Sequence, residues 1–321
     1  MTTRQRIVFL GSGAFGLPTL RWLASVHEVV AVVSQPDKPA GRGVELSPTP
    51  ISAAAAASLP NVPLVRAPNV NEPETVALLD ALKADAWVVI AFGQKLSKAL
   101  LGGQKAMNLH ASLLPRWRGA APIHAAMIAG DPLTGNTVIT LAERMDAGLI
   151  LDRSEHAISP TTTVGELHDL LAADGPAAIG RALERARREW PFGEHQREAD
   201  VTLAGKLSKA DGWVDFCSDA DTCRRRINGL SPWPGVTATF RNEPLRLLRA
   251  GPSIAQPRKG RVGEILDAAE GLIACAHGTS VHLLDVQPAG KRPMPWADFS
   301  NGKRVKPGEA IVGMSAGGAP C

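Results

Sequence analysis

The chain has 321 residues, of which 45% are apolar and 21% charged, with a formal charge of +4. At roughly 150 residues per domain this length makes two domains with room for sizeable cores, and the composition excludes disordered, fibrous and membrane-spanning classes. The longest apolar runs, such as Val88-Val89-Ile90-Ala91, are too short to cross a bilayer. The opening Met-Thr-Thr-Arg-Gln-Arg lacks the apolar core and cleavage site of a signal peptide, so a cytoplasmic protein with no membrane partner is expected.

The four cysteines, Cys217, Cys223, Cys275 and Cys321, form no CxxC pair and have no His cluster beside them at zinc-ligand spacing. They read as free thiols, and no metal is expected. Residues 1–199 hold 19 cations and 19 anions, whereas residues 200–321 hold 16 and 12. The positive surplus therefore lies in the C-terminal part, as suits an acidic partner.

In chain order, the first two hundred residues alternate strand and helix. Short apolar runs predict strands over 6–10, 29–33, 86–91, 106–110, 137–141 and 149–152. Helical spacing predicts helices over 18–25, 74–82 and 123–129, and over 163–188 with an interruption at Gly175-Pro176. That alternation predicts a Rossmann-like, mostly parallel α/β sheet. After a polar stretch to about 209, one helix over 218–228 and five short β runs follow, over 236–240, 245–248, 260–266, 272–276 and 281–286. Such spacing suits a small OB-like β-barrel. The division falls at residues 1–203 and 204–321.

Gly11-Ser12-Gly13-Ala14-Phe15-Gly16 fits GxGxxG after a strand, with Asp37 some 20 residues on. It can serve a dinucleotide, or it can permit a tight, closely packed turn. The loop over 35–43 carries two Pro, two Gly and the cations Lys38 and Arg42, a composition suited to an exposed segment that reaches phosphates.

Asn108-Leu109-His110 is more specific. On a strand, Asn108 and His110 share a face, and a polar pair ending a buried strand is costly unless used. Strand C-terminal ends are where open α/β sheets bind ligands. Asp146 sits in Met145-Asp146-Ala147-Gly148, between two predicted strands. An amide donor, an imidazole and a carboxylate are the groups that acyl transfer to an amine requires: one for the oxyanion, two for the protons. No GxSxG elbow or Cys–His dyad is present, which favours direct amine attack over a covalent enzyme intermediate.

The residues quoted, with Ser112-Leu113-Leu114-Pro115-Arg116-Trp117-Arg118-Gly119, Lys206-Leu207-Ser208-Lys209 and Pro232-Trp233-Pro234-Gly235, resemble the methionyl-tRNA formyltransferase family over nearly the whole chain. The resemblance implies 10-formyltetrahydrofolate as co-substrate, with neither metal nor NAD, and initiator methionyl-tRNA as partner of a monomeric enzyme. It carries over Asn108, His110 and Asp146 as the catalytic trio. It assigns Ser112, Leu113, Leu114 and Pro115 to folate binding, and Lys38, Arg42, Lys206 and Lys209 to tRNA. The trio is shared by glycinamide ribonucleotide and sugar-nucleotide formyltransferases, so it fixes the reaction more firmly than the acceptor. Leu149 and Phe92 depart from the family's usual residues, in a chain without Tyr.

Overall fold

A computed structural model describes residues 4–39, 46–252 and 260–314. They fall into two compact units: residues 1–118, 135–155 and 169–203 in the first, and 119–134, 156–168 and 204–321 in the second.

The first unit is built on a seven-stranded sheet of β1 (Arg6–Gly11), β2 (Glu28–Ser34), β3 (Leu64–Arg66), β4 (Ala86–Ile90), β5 (Ala106–His110), β6 (Leu133–Thr140) and β7 (Ile150–Ala157). The spatial order is β7-β6-β5-β4-β1-β2-β3. The five strands β3-β2-β1-β4-β5 are parallel, and β6 runs antiparallel to β5. All five residues of β4 are buried, as in a sheet covered on both faces. Helices α1 (Leu17–Val26), α2 (Pro50–Ser58) and α3 (Pro73–Ala81) connect the parallel strands, each with Pro in its first turn. Thr49 caps α2 by accepting from the Ser52 amide at 3.0 Å.

A four-residue helix, α4 (Lys98–Leu101), precedes β5, and the long helix after β7 runs unbroken over 164–186 with Pro176 inside it. The interruption expected at Gly175-Pro176 is therefore corrected. A Cβ on Gly175 would stand 2.7 Å from Leu109 Cδ2 and 2.8 Å from Thr19 Oγ1, so this glycine permits close approach to β5 rather than a break.

The second unit contains α5 (Pro122–Ala129) and a barrel of antiparallel strands: β8 (Val236–Phe240), β9 (Glu243–Gly251), β10 (Ile265–Asp267), β11 (Leu272–Ala274), β12 (Ser280–Pro288), β13 (Met294–Pro295) and β14 (Ile311–Val312). The path β10-β11-β12-β9-β8-β14 closes on itself through a Glu264–Ala310 bridge and the bond from Ile311 N–H to Gly263 O at 2.8 Å. Closure removes the sheet edges. The predicted helix spans Ala220–Gly229 and is capped by Asp219, which accepts from Thr222 N at 2.9 Å. Cys223 and Ile227 enter the barrel core with Val236, Leu247 and Phe299. Cys223 and Cys275 are free, as expected, and buried; the expectation of a free thiol is corrected at Cys217, which is held in a disulfide.

Candidate active site

Strand β5 ends where the chain leaves the sheet for the loop 111–118. Pairing with β6 sets Asn108 opposite Ile139 and His110 opposite Thr137. Asn108 is half-buried and His110 is only 6% exposed. The His110 Nε2 lies 2.9 Å from the Trp117 carbonyl oxygen. A carbonyl can only accept, so Nε2 carries the hydrogen, and in neutral His110 the free lone pair is on Nδ1. That nitrogen faces Asp146 Oδ2 at 3.6 Å, with both side chains largely buried. Nδ1 is thus the ring nitrogen left to accept a hydrogen bond, and a carboxylate stands opposite it.

Both loops that meet His110 are held by their own chemistry. Trp117 and Asp146 have φ of 65° and 52°. This left-handed region costs a non-glycine residue about 1–2 kcal/mol. At Gly148 a Cβ would stand 1.7 Å from the Thr140 carbonyl oxygen, so only glycine fits two residues after Asp146. The Thr137 hydroxyl donates to Ser112 O at 2.6 Å and accepts from Leu114 N at 3.1 Å. Ser112 is fully buried and donates to Arg116 O at 2.7 Å. Leu114 packs with Ile139 and Ile150. Of the four loop residues proposed for folate, Leu113 and Pro115 are half-buried, while Ser112 and Leu114 shape the loop from inside.

A cavity of about 790 Å³ is walled by Leu96, Leu101, Ala106, Leu141, Glu143 and Leu149, among others. Its volume suits a drug-sized organic molecule. Ala106 shares its strand face with Asn108 and His110, one pleat repeat (roughly 6.6 Å) before Asn108. Neither Asn108, His110 nor Asp146 is among the residues that wall this cavity. Leu149, a departure implied by the resemblance, is part of this wall, and Phe92 is buried. The wall residues come from separate segments and carry no motif, which hid all of them but Leu149 from sequence reading.

The GxGxxG loop has a packing explanation. A Cβ on Gly11 would stand 2.6 Å from the Phe9 ring and 2.9 Å from Ile90 O, and one on Gly16 would stand 3.0 Å from Phe9. Ser12 is tied to Phe92 O at 3.2 Å and to the Gln35 amide at 3.1 Å. Asp37, the candidate ribose acid, accepts from Arg66 Nε at 3.1 Å. Lys38 is exposed and donates to Gln35 Oε1 at 2.7 Å; Arg42 lies outside the described residues. In the second unit Lys206 and Lys209 are exposed. His124, unassigned from sequence, has Nε2 3.2 Å from the Trp233 carbonyl oxygen. Sequence reading took residues 194–209 as a polar stretch and singled out only 206–209 within it, yet Gln196 and Thr202 reach the site loops.

Residues 5–183 match the family model for formyl transferase, and residues 206–304 match that for the formyl transferase C-terminal domain. The methionyl-tRNA formyltransferase of Caulobacter vibrioides is 42% identical over 315 residues, covering 96% of this chain and all of that protein. That of Hydrogenovibrio crunogenus is 37% identical over 308 residues, covering 95% and 98%. Among solved structures, the N-formyltransferase from Helicobacter canadensis, in complex with folinic acid and dTDP-3-aminofucose, shares the fold at a TM-score of 0.63 and 12% identity, covering 89% of this chain and all of that one. HypX from Aquifex aeolicus, in complex with tetrahydrofolic acid, superposes at 0.63 and 17% identity over 93% of this chain, which spans 47% of HypX. The order of the two domain models and the full-length relatives agree, and the chain belongs to the methionyl-tRNA formyltransferase family.

Proposed function

We propose that the chain transfers the formyl group of 10-formyltetrahydrofolate to the free amino group of methionine on initiator methionyl-tRNA, for translation initiation. The observation that carries the chemistry is the His110 tautomer. With Nε2–H committed to Trp117 O, Nδ1 is left facing Asp146, on the strand face that also carries Asn108. Relatives named as methionyl-tRNA formyltransferases over their full length support the acceptor.

In this reading the acceptor amine attacks the formyl carbon directly. Asn108 donates to the formyl oxygen as it becomes an oxyanion. His110 Nδ1 takes the proton released by the attacking nitrogen, Asp146 stabilises the imidazolium, and the proton passes to the folate nitrogen as its bond to the formyl carbon breaks. The products are a formamide and tetrahydrofolate, and neither a metal nor a nicotinamide takes part. The folate ring system binds at the loop 111–118, with Leu113 and Pro115 touching it and Ser112 and Leu114 setting the loop. Lys38 and Arg42 contact the acceptor end of the tRNA, and Lys206 and Lys209 its backbone. Residues 1–203 are the catalytic domain and 204–321 the OB-like tRNA-binding domain of a cytoplasmic monomer.

The test is a choice of acceptor. Given formyl-folate with charged initiator tRNA, glycinamide ribonucleotide or an amino-sugar nucleotide, the enzyme should formylate the tRNA alone. Formylation of either small acceptor in its place would overturn the assignment.

A further inference from the structure

The two left-handed residues that meet His110 are tied to one short segment. The Gln196 amide Nε2 donates to Asp146 O at 2.7 Å and to Gly148 O at 2.9 Å. Its Oε1 accepts from Arg118 Nε at 2.9 Å, and Arg118 is only 4% exposed. Six residues on, the Thr202 hydroxyl accepts from the Trp117 amide at 2.9 Å, and the Thr202 carbonyl accepts from the Arg118 amide at 2.9 Å. Residues 196–202 thus grip the Asp146 turn with one hand and the Trp117 turn with the other. Trp117 O fixes one ring nitrogen of His110, and Asp146 faces the other.

We propose that Gln196 and Thr202 are positioning residues that hold Trp117 and Asp146 in their left-handed conformations, and so set the geometry of the His110–Asp146 pair. This inference rests on the catalytic reading of that pair. The chemistry at position 196 is selective. Two carbonyl oxygens need a donor, while the Arg118 guanidinium needs an acceptor. A neutral carboxamide supplies both, with its orientation dictated by these partners. A carboxylate would satisfy Arg118 and repel both carbonyls. A left-handed non-glycine backbone persists only when its surroundings over-determine it, and this segment supplies bonds at both such residues.

The experiment is steady-state kinetics on the full-length enzyme with formyl-folate and charged initiator tRNA. Gln196→Glu and Gln196→Ala should each lower kcat roughly 10- to 100-fold, the scale of a misplaced catalytic group, with both KM values within about threefold. Thr202→Val should lower kcat likewise, and Thr202→Ser, which keeps the hydroxyl acceptor, should recover most of it. In an Asp146→Asn background, Gln196→Ala should add less than about twofold, because residues acting through one group are not additive. Wild-type kcat in Gln196→Glu, or an equal loss from Gln196→Ala in both backgrounds, would overturn the clamp. Wild-type kcat in Asp146→Asn would overturn the underlying catalytic reading and the clamp with it.

Discussion

At the end of β5, Asn108 is half-buried and shares a strand face with His110, which keeps one ring nitrogen for a carboxylate. On the helix Ala220–Gly229, three successive arginines are denser in charge but committed inward. Arg224 pairs with Asp221 and donates to Pro160 O at 2.6 Å. Arg225 donates to Ala129 O at 3.3 Å and to Thr222 Oγ1 at 3.1 Å. Arg226 stacks 3.4 Å over the Trp213 ring and donates to Trp213 O and Asp211 O at 3.0 and 2.9 Å. The difference teaches that charge density does not mark a site. What marks the candidate site is a polar pair ending a buried strand, with one ring nitrogen left to a carboxylate.

The largest effect that would sharpen this contrast lies at Asn108. In the proposed mechanism, replacing it with Ala removes the donor to the oxyanion, and kcat should fall about 10²- to 10³-fold, or about 3–4 kcal/mol of transition-state stabilisation. The KM for the aminoacyl-tRNA should stay within about twofold, because this interaction strengthens only as the carbonyl becomes an oxyanion. A variant with raised KM and wild-type kcat would make Asn108 a binding residue instead.

The arginine run offers the converse test. Arg226→Ala should destabilise the protein by about 1–3 kcal/mol through loss of the stack and two hydrogen bonds, seen as a lower urea midpoint. The salt dependence of tRNA affinity should be unaltered. Replacing the exposed Lys206 and Lys209 together by Ala should leave the urea midpoint in place. It should reduce the slope of log affinity against log salt by about 1–2, as expected for two phosphate contacts. If Arg226→Ala lowered the slope and the lysine pair did not, the contrast between committed and available cations would be reversed.

Most of the fold was legible because its strands are buried on both faces. The β1, β2 and β4 runs leave little room for another reading, and β5 was placed to the residue. Helix α2 (Pro50–Ser58) was missed because its alanines give it no polar face to set a period. Strand β3 was missed because three residues carry too little pattern. The Gly175-Pro176 interruption was read from propensity, and tertiary contact with Leu109 and Thr19 overrode it. In the site, Asn108 and His110 stood out as polar groups ending a buried strand. Asp146 was legible only in their company. Gln196 was hidden by its ordinary residue type and by the 50 residues that separate it from Asp146, and Thr202 by the 85 that separate it from Trp117.

The smallest expected effect concerns another inward-committed arginine. Arg249 donates to Glu166 Oε1 and Oε2 at 2.6 and 3.0 Å and to Asp285 Oδ2 at 2.9 Å. Glu166 also accepts from the Thr163 amide at 2.9 Å, one half of the capping box that starts the helix over 164–186. These bonds, Arg249 first, hold the Glu166 carboxyl down from its ordinary 4.5 to about 2. A pKa lower in the folded state means that the unfolded chain binds the proton first as pH falls. The pair's contribution is therefore complete above about pH 4.5 and is lost as pH drops through about 2. Glu166 is 50% exposed, so water screens the pair and the effect is modest. Between about pH 5 and about pH 2.5 the urea midpoint of wild type should fall more steeply than that of Glu166→Gln, which has no charge to lose. Other paired carboxylates give both proteins a common slope, so the difference between the two curves isolates this pair. Parallel curves would mean that Arg249 is held as firmly by Asp285 alone, and that Glu166 serves the helix start through Thr163 rather than through its charge.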